Sequence, residues 1–127
     1  SKNKSIEYYN RFFALCDSFI EAMPEHKYAK DFVNMMGAVY FKRGMFDDLL
    51  LKFAGYENGK SDPAKGYVNR VEFRKSPAMP VAHYMSGLAF VASGRFEEAK
   101  PLLGAVVGVE VSGLALDDLD EDEKVED

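Results

Sequence analysis

Apolar positions recur at three- and four-residue intervals through most of the chain. Between residues 5 and 23, Ile6, Tyr9, Phe13, Cys16, Ile20 and Met23 keep that spacing, which predicts a helix with one buried stripe. Phe12 and Phe19 widen the stripe, so this helix is expected to meet neighbours on two sides. Pro24 closes it, because proline cannot donate the next helical bond and crowds the preceding turn. A second helix is expected over about residues 25 to 43, with Tyr28, Phe32, Met35, Met36, Val39 and Tyr40 on its buried side. Gly44 ends it by entering the left-handed conformation, and Lys42 and Arg43 suit the carbonyl end of its dipole. The third helix, about 45 to 56, carries Asp47 and Asp48 in its first turn, where negative charge is favoured.

From Glu57 to Pro80 the periodicity gives way to turn signals: Asn58-Gly59, Asp62-Pro63, Gly66, Pro77 and Pro80. Asp62 with Pro63 behind it predicts a short capped helix reaching about Phe73. Two further helices follow, over about 80 to 93 and 95 to 107. Pro101 falls near the start of the last one, where it removes a single bond and bends the helix mildly. Beyond it, Val107, Val109 and Val111 alternate like a strand, so residues 106 to 116 are expected to dock as an extended apolar segment.

One pattern occurs twice. Gly37, Tyr40, Gly44, Phe46, Asp47 and Asp48 return as Gly87, Phe90, Gly94, Phe96, Glu97 and Glu98, each fifty positions on. In the second occurrence Gly87 and Ala99 are small where two antiparallel helices approach, Phe90 and Phe96 fill the space beside that contact, and Gly94 makes the turn. These residues resemble the tetratricopeptide repeat, a helical hairpin that stacks into a solenoid. Gly87, Phe90, Gly94, Phe96, Ala99 and Leu103 stand at that family's intervals, and Gly37, Tyr40, Gly44, Phe46 and Phe53 match in the earlier unit. The two matches cover about half the chain. Leu49 departs from the family's Ala, and both units lack its usual Trp. The family repeats about every 34 residues, so the spacing of fifty implies an insertion.

The resemblance implies an all-α fold of antiparallel helix hairpins in a short right-handed superhelix of five or six helices. One domain over 1–116 is expected, with units at about 30–57 and 80–107 and an insertion over 58–79. The first helix would then stand in for a missing partner at the N-terminal end. In that family the first helix of each hairpin lines a groove that holds a peptide or helix of another protein. Carried over by position, the groove would be Val81, Tyr84, Met85, Leu88 and Val91, joined by Asp31, Asn34, Ala38, Phe41 and Lys42. Only Asn34 and Lys42 are polar residues of the kind that grip a partner's terminal carboxylate, so an apolar segment is the expected occupant. The chain's own first helix, or residues 106–116, could fill the groove instead.

Charge divides the chain unevenly. Residues 117–127 hold eight acids and one base, so subtracting their −7 from the net −5 leaves +2 on the first 116 residues. The bases of that body cluster at Lys60, Lys65, Arg70, Arg74 and Lys75, interleaved with Tyr67 and Phe73. Nucleic-acid binding through 60–75 is therefore an alternative, opposed by an acidic tail that repels phosphate. The tail is read as a solvated segment, with a resting contact on the same bases as a further possibility.

Chemistry-bearing motifs are incomplete. Gly59-Lys60-Ser61 lacks the earlier glycine of a phosphate loop, since Ala54 holds that place. His26 and His83 have no second ligand at helical spacing. Asp118, Asp120 and Asp122 alternate as in a calcium loop, but Glu123 stands where glycine is needed. Asn3-Lys4-Ser5 fits a glycosylation acceptor, a triplet that arises often by chance. Cys16 sits in the apolar stripe of the first helix as a small core residue, and a single cysteine excludes an internal disulfide. No enzyme activity, metal or cofactor is expected.

No run of about eighteen apolar residues is present, so no membrane span is expected. No signal peptide is visible, and the lone cysteine suggests a reducing, cytoplasmic setting. The chain opens on Ser1 instead of Met, which leaves a preceding segment open. The leading expectation is an interaction module, adaptor or chaperone-like, binding an apolar segment of another protein. A homodimer through the same surface is the alternative.

Overall fold

The computed structural model describes residues 2–104; the acidic segment and residues 106–116 lie outside the described residues. The fold is all-α. Among the described residues five helices run in the order α1 (Lys2–Ala22), α2 (Ala29–Lys42), α3 (Phe46–Ala54), α4 (Met79–Ala92) and α5 (Phe96–Gly104). Between α3 and α4 stand two-residue strands, β1 (Tyr56–Glu57) and β2 (Lys60–Ser61), and two single 3-10 turns at Tyr67–Asn69 and Val71–Phe73. No described helix is long and apolar enough to cross a membrane.

Both expected hairpins close on glycine. Gly44 and Gly94 take φ of +66° and +77°, and each lets the chain reverse from α2 into α3 and from α4 into α5. Helix α2 begins four residues later than the stripe predicts. The backbone N–H of Tyr28 donates to Nδ1 of His26 at 3.0 Å, a local bond that holds residues 24–28 as turns instead of a first helical turn. Tyr28 is consequently exposed; Met35 within α2 is exposed as well, as are Ile6 and Met23 at the two ends of the stripe on α1.

Helix α4 has no charged residue over its 14 positions, and a helix apolar all round is stable only when covered all round. It packs against α2, α3, α5 and the first 3-10 turn. Helix α1 covers α2 from the other side, with Phe13 stacked on Tyr40 at 4.2 Å and Phe19 against Phe32 at 4.3 Å. Cys16 and Ile20 of α1 join Val33, Met36, Leu50, Phe53, Phe73 and Met85 in one core.

The two corresponding glycines serve different contacts. A Cβ on Gly87 would strike Leu103 of α5 at 2.6 Å, so it permits close approach within a hairpin. A Cβ on Gly37 would meet the Met85 sulfur at 1.8 Å, so it permits close approach of α2 to α4, between hairpins. Phe96, expected to fill space beside the hairpin contact, is 60% exposed; Ala99 and Phe90 are buried as expected.

The segment between α3 and α4 folds differently from the expected capped helix. Asn58 and Gly59 both have positive φ, +54° and +80°, the pair required by a tight two-residue hairpin, and β1 pairs antiparallel with β2 through it. Asp62 accepts the backbone N–H of Ala64 at 2.9 Å, but Gly66 at φ +84° breaks the chain away before a helix can form. The side-chain amide of Asn69 then donates to the carbonyls of Ala54, Lys65 and Asp62 at 2.8, 2.8 and 3.1 Å. Gly66 lies backbone to backbone on Gly55, where a Cβ would come within 2.2 Å of the Gly55 nitrogen.

Gly66→Ala is expected to cost about 3 kcal/mol or more, because strain at positive φ and a clash with backbone coincide. Gly44→Ala, at similar φ with no atom within 4 Å, should cost only about 1–2 kcal/mol. Urea denaturation of the two variants beside the parent chain measures the contrast.

Candidate functional site

Three surfaces come into question, and the first is the face predicted on α4. Val81, Tyr84 and Met85 are buried, which corrects their assignment to an open groove. The reason is the neutrality of α4: with α2, α3 and α5 all packed on it, the positions assigned to solvent are core positions. Met85 lies under Gly37. Leu88 is half-buried and Val91 is 38% exposed. From α2, Asn34, Ala38 and Phe41 are half-buried, while Asp31 and Lys42 are exposed. The contact of Gly37 with Met85 fixes α2 beside α4; Phe41 stands one turn beyond Gly37, and Leu88 one turn beyond Met85. Of the apolar residues expected to line a groove, Ala38, Phe41 and Leu88 are half-buried and Val91 is exposed.

Polar atoms in and beneath this face lack internal partners. Oδ1 of Asn34, Nδ1 of His83 and Oγ of Ser86 are buried without a hydrogen bond. Burial also pushes the His83 imidazole below its ordinary pKa, because the charged ring would lose its hydration.

The second surface is the outer side of α1. Tyr8, Phe12, Leu15 and Phe19 follow one another at intervals of four, three and four and so share a face. This row adjoins the Tyr9, Phe13, Cys16 and Ile20 row that enters the core, offset from it by one residue, roughly a quarter turn of the helix. Tyr8 is 70% and Leu15 72% exposed, whereas Phe12 and Phe19 are half-buried. Phe12 packs against the core and Phe19 against Phe32 of α2, so within this row the exposed apolar side chains are Tyr8 and Leu15.

The third is a cleft of about 510 Å³ between α1, α3 and the connecting segment, lined by Asp17, Glu21, Tyr40, Lys52, Tyr67 and Arg70 among others. Four of its charged residues, Asp17, Glu21, Lys52 and Arg70, are matched within the chain. Tyr67 donates its phenolic proton to Asp17 at 2.5 Å, and Lys52 faces the same carboxylate at 3.5 Å. Arg70 donates to both oxygens of Glu21 at 2.6 and 2.7 Å and to Glu72 at 3.0 Å. Paired, fork-on-fork contacts of this kind fix geometry, and here they fasten the connecting segment to α1. Of the five clustered bases, Arg70 is thereby committed, while Lys60, Lys65, Arg74 and Lys75 are exposed.

Catalytic and metal chemistry find no cluster. Among the described residues no three His, Cys, Asp or Glu side chains gather to hold a metal ion. Cys16 is buried, and burial raises its thiol pKa, which keeps it protonated and inert. Compared with family models, with curated proteins and with solved structures, the chain finds no match.

The α1 face and the exposed Met35 were not assigned to a site from sequence. The four-three-four spacing of Tyr8, Phe12, Leu15 and Phe19 carried the signal, since it is a second helical stripe superposed on the first.

Burial raises the pKa of both Tyr67 and Tyr40, and the bond to Asp17 raises Tyr67 further. A phenol whose folded pKa exceeds its unfolded value of about 10 contributes stability that is intact below that pH and lost as pH rises through the folded value. Unfolding free energy from urea titrations should therefore stay level to about pH 9 and fall above about pH 10. Tyr67→Phe should lower stability at neutral pH by about 1.5–3 kcal/mol, the worth of a bond to a charged group, and should make the alkaline decline shallower.

Proposed function

We propose that this domain is a protein-interaction module of tetratricopeptide-like construction, adaptor or chaperone-like in role, that holds an apolar helix or extended segment of another protein across α2 and α4. The observation that carries this reading is the close approach of Gly37 to Met85. It sets α2 beside α4, and Ala38, Phe41, Leu88 and Val91, each at least partly exposed, are the apolar residues we assign to the strip. An amphipathic helix recognises such a strip through side chains one turn apart. The pairing of Arg70 with Glu21 and Glu72 removes the central base from the 60–75 cluster, which weighs against the nucleic-acid alternative.

A display library of amphipathic helices selected on the domain is the test. Selected peptides should bind with micromolar Kd and lose roughly a hundredfold in affinity on Leu88→Glu or Phe41→Glu, since a carboxylate would be forced against an apolar contact. Selection that yields no binders, or binders indifferent to both substitutions, would overturn the reading. Far-UV circular dichroism of each variant establishes that the helices remain.

A further inference from the structure

A small apolar pocket opens where the connecting segment meets the second hairpin. It holds about 240 Å³ between Tyr56 and Val68 of the connecting segment and Phe90 and Leu102 of α4 and α5, and Ser61 and Glu98 also line it. The Tyr56 and Phe90 rings meet edge to face at 4.8 Å, so the lining offers aromatic as well as aliphatic contact. Tyr56, Val68 and Leu102 are half-buried, each keeping surface that an occupant would cover. The Ser61 hydroxyl is committed to the Ala54 carbonyl at 3.1 Å and Glu98 is exposed to water. Apolar surface is therefore what selects the occupant.

The chain supplies such surface itself. Leu102 lies two residues before Gly104, the last described residue, and Ala105-Val106-Val107-Gly108-Val109 follows at once. From Ala105 to Leu116 the only charged residue is Glu110. Five residues span up to about 17 Å when extended, enough to bring these valines back to a pocket walled by Leu102. A segment tethered this close meets its site at an effective concentration in the millimolar range. A contact too weak to hold a separate partner is then filled by the chain's own residues. The α2–α4 strip is less accessible to it. Gly87 and Met85, two positions apart, point to nearly opposite sides of α4, and α5 packs on the Gly87 side while α2 packs on the Met85 side. Charge favours the same placement. Ser61 lines both this pocket and the neighbouring hollow that holds Lys60 and Lys65. Both lysines are exposed, and no ion pair joins either of them among the described residues. Residues 117–127 carry eight acids and one base, and an apolar segment seated in the pocket brings the first acids to that edge. Exposed pairs are individually weak, so they orient the segment and the apolar contact holds it.

We propose that residues 105–109 fold back into the pocket between Tyr56, Val68, Phe90 and Leu102, and that the acidic residues beyond them rest against Lys60 and Lys65. The seated segment ties α5 to the connecting segment. It uses a surface separate from the α2–α4 strip, which stays available to a partner.

Nuclear magnetic resonance of the full chain tests the docking, with the parent compared to a Val106→Asp, Val107→Asp double variant. Two carboxylates are not tolerated in an apolar site, so the side-chain resonances of Tyr56, Val68 and Phe90 should move while those of Ala38, Phe41 and Leu88 stay. Cleavage after Glu110 by a glutamate-specific protease gives a second readout. It should be at least about tenfold slower in the parent than in the double variant, because a seated bond is cut only when it opens. Replacing Asp117, Asp118 and Asp120 by Asn should move the amide resonances of Lys60 and Lys65 at low salt and leave them still at high salt. Shifts confined to residues after Leu102, shifts at Phe41 and Leu88 in place of Tyr56 and Val68, or equal cleavage rates would each overturn the proposal. Lysine amides indifferent to the Asn substitutions would overturn its acidic contact.

Discussion

The arrangement of the chain depends on the need to cover one uncharged helix. Helix α4 presents Val81, Ala82, Tyr84, Met85, Ser86, Gly87, Ala89 and Phe90 as buried positions, spread round most of its circumference. No single neighbour can cover such a helix. Close approach on two sides is made possible by two missing side chains, at Gly37 on the α2 side and at Gly87 on the α5 side. With those distances fixed, α3 and the connecting segment close the remaining faces and α1 is laid outside α2. The hydrophobic contribution, at about 25 cal/mol per Å² of apolar surface, is concentrated where these elements converge on α4.

The long connection between the hairpins is held by polar means. Asn69 gathers three carbonyls, Gly55 and Gly66 touch through their backbones, and Tyr67 and Arg70 reach Asp17 and Glu21 of α1. The bonds of Tyr67 and Arg70 to α1 join residues 50 and 49 positions apart in the sequence. At the opposite end of α3, Arg95 bonds Asp47 at 3.0 Å, tying the second turn to the start of the third helix. A segment of little regular structure is thus as well anchored as the helices.

Much of the helical order was legible in the residues themselves. Five helices, the two glycine turns, Pro24 as a terminator and Ala99 as a close contact all follow from periodicity and backbone chemistry, which act locally. The connecting segment was not legible as structure, because Gly66, Tyr67 and Asn69 take their conformation from partners distant in sequence. The burial of α4 was legible only in part. Val81, Tyr84 and Met85 have the right spacing for a groove, but spacing cannot say how many neighbours a helix has. The absence of charge along α4 was the better guide, since it marked a helix without a solvent face. The second row of α1 was visible as Phe12 and Phe19, which pack inward on the core and α2, while Tyr8 and Leu15 of the same row are exposed.

The unequal work of Gly37 and Gly87 bears on how such a chain could have grown. Two units of common pattern would be interchangeable parts if each small residue served the same joint. Here one glycine closes a hairpin and the other joins two hairpins, so the two positions are not interchangeable. Inserting further helices between them would separate Gly37 from Met85 and leave α4 without its fitted neighbour. The mutual placement of α2 and α4 therefore rests on one small residue facing one flexible side chain.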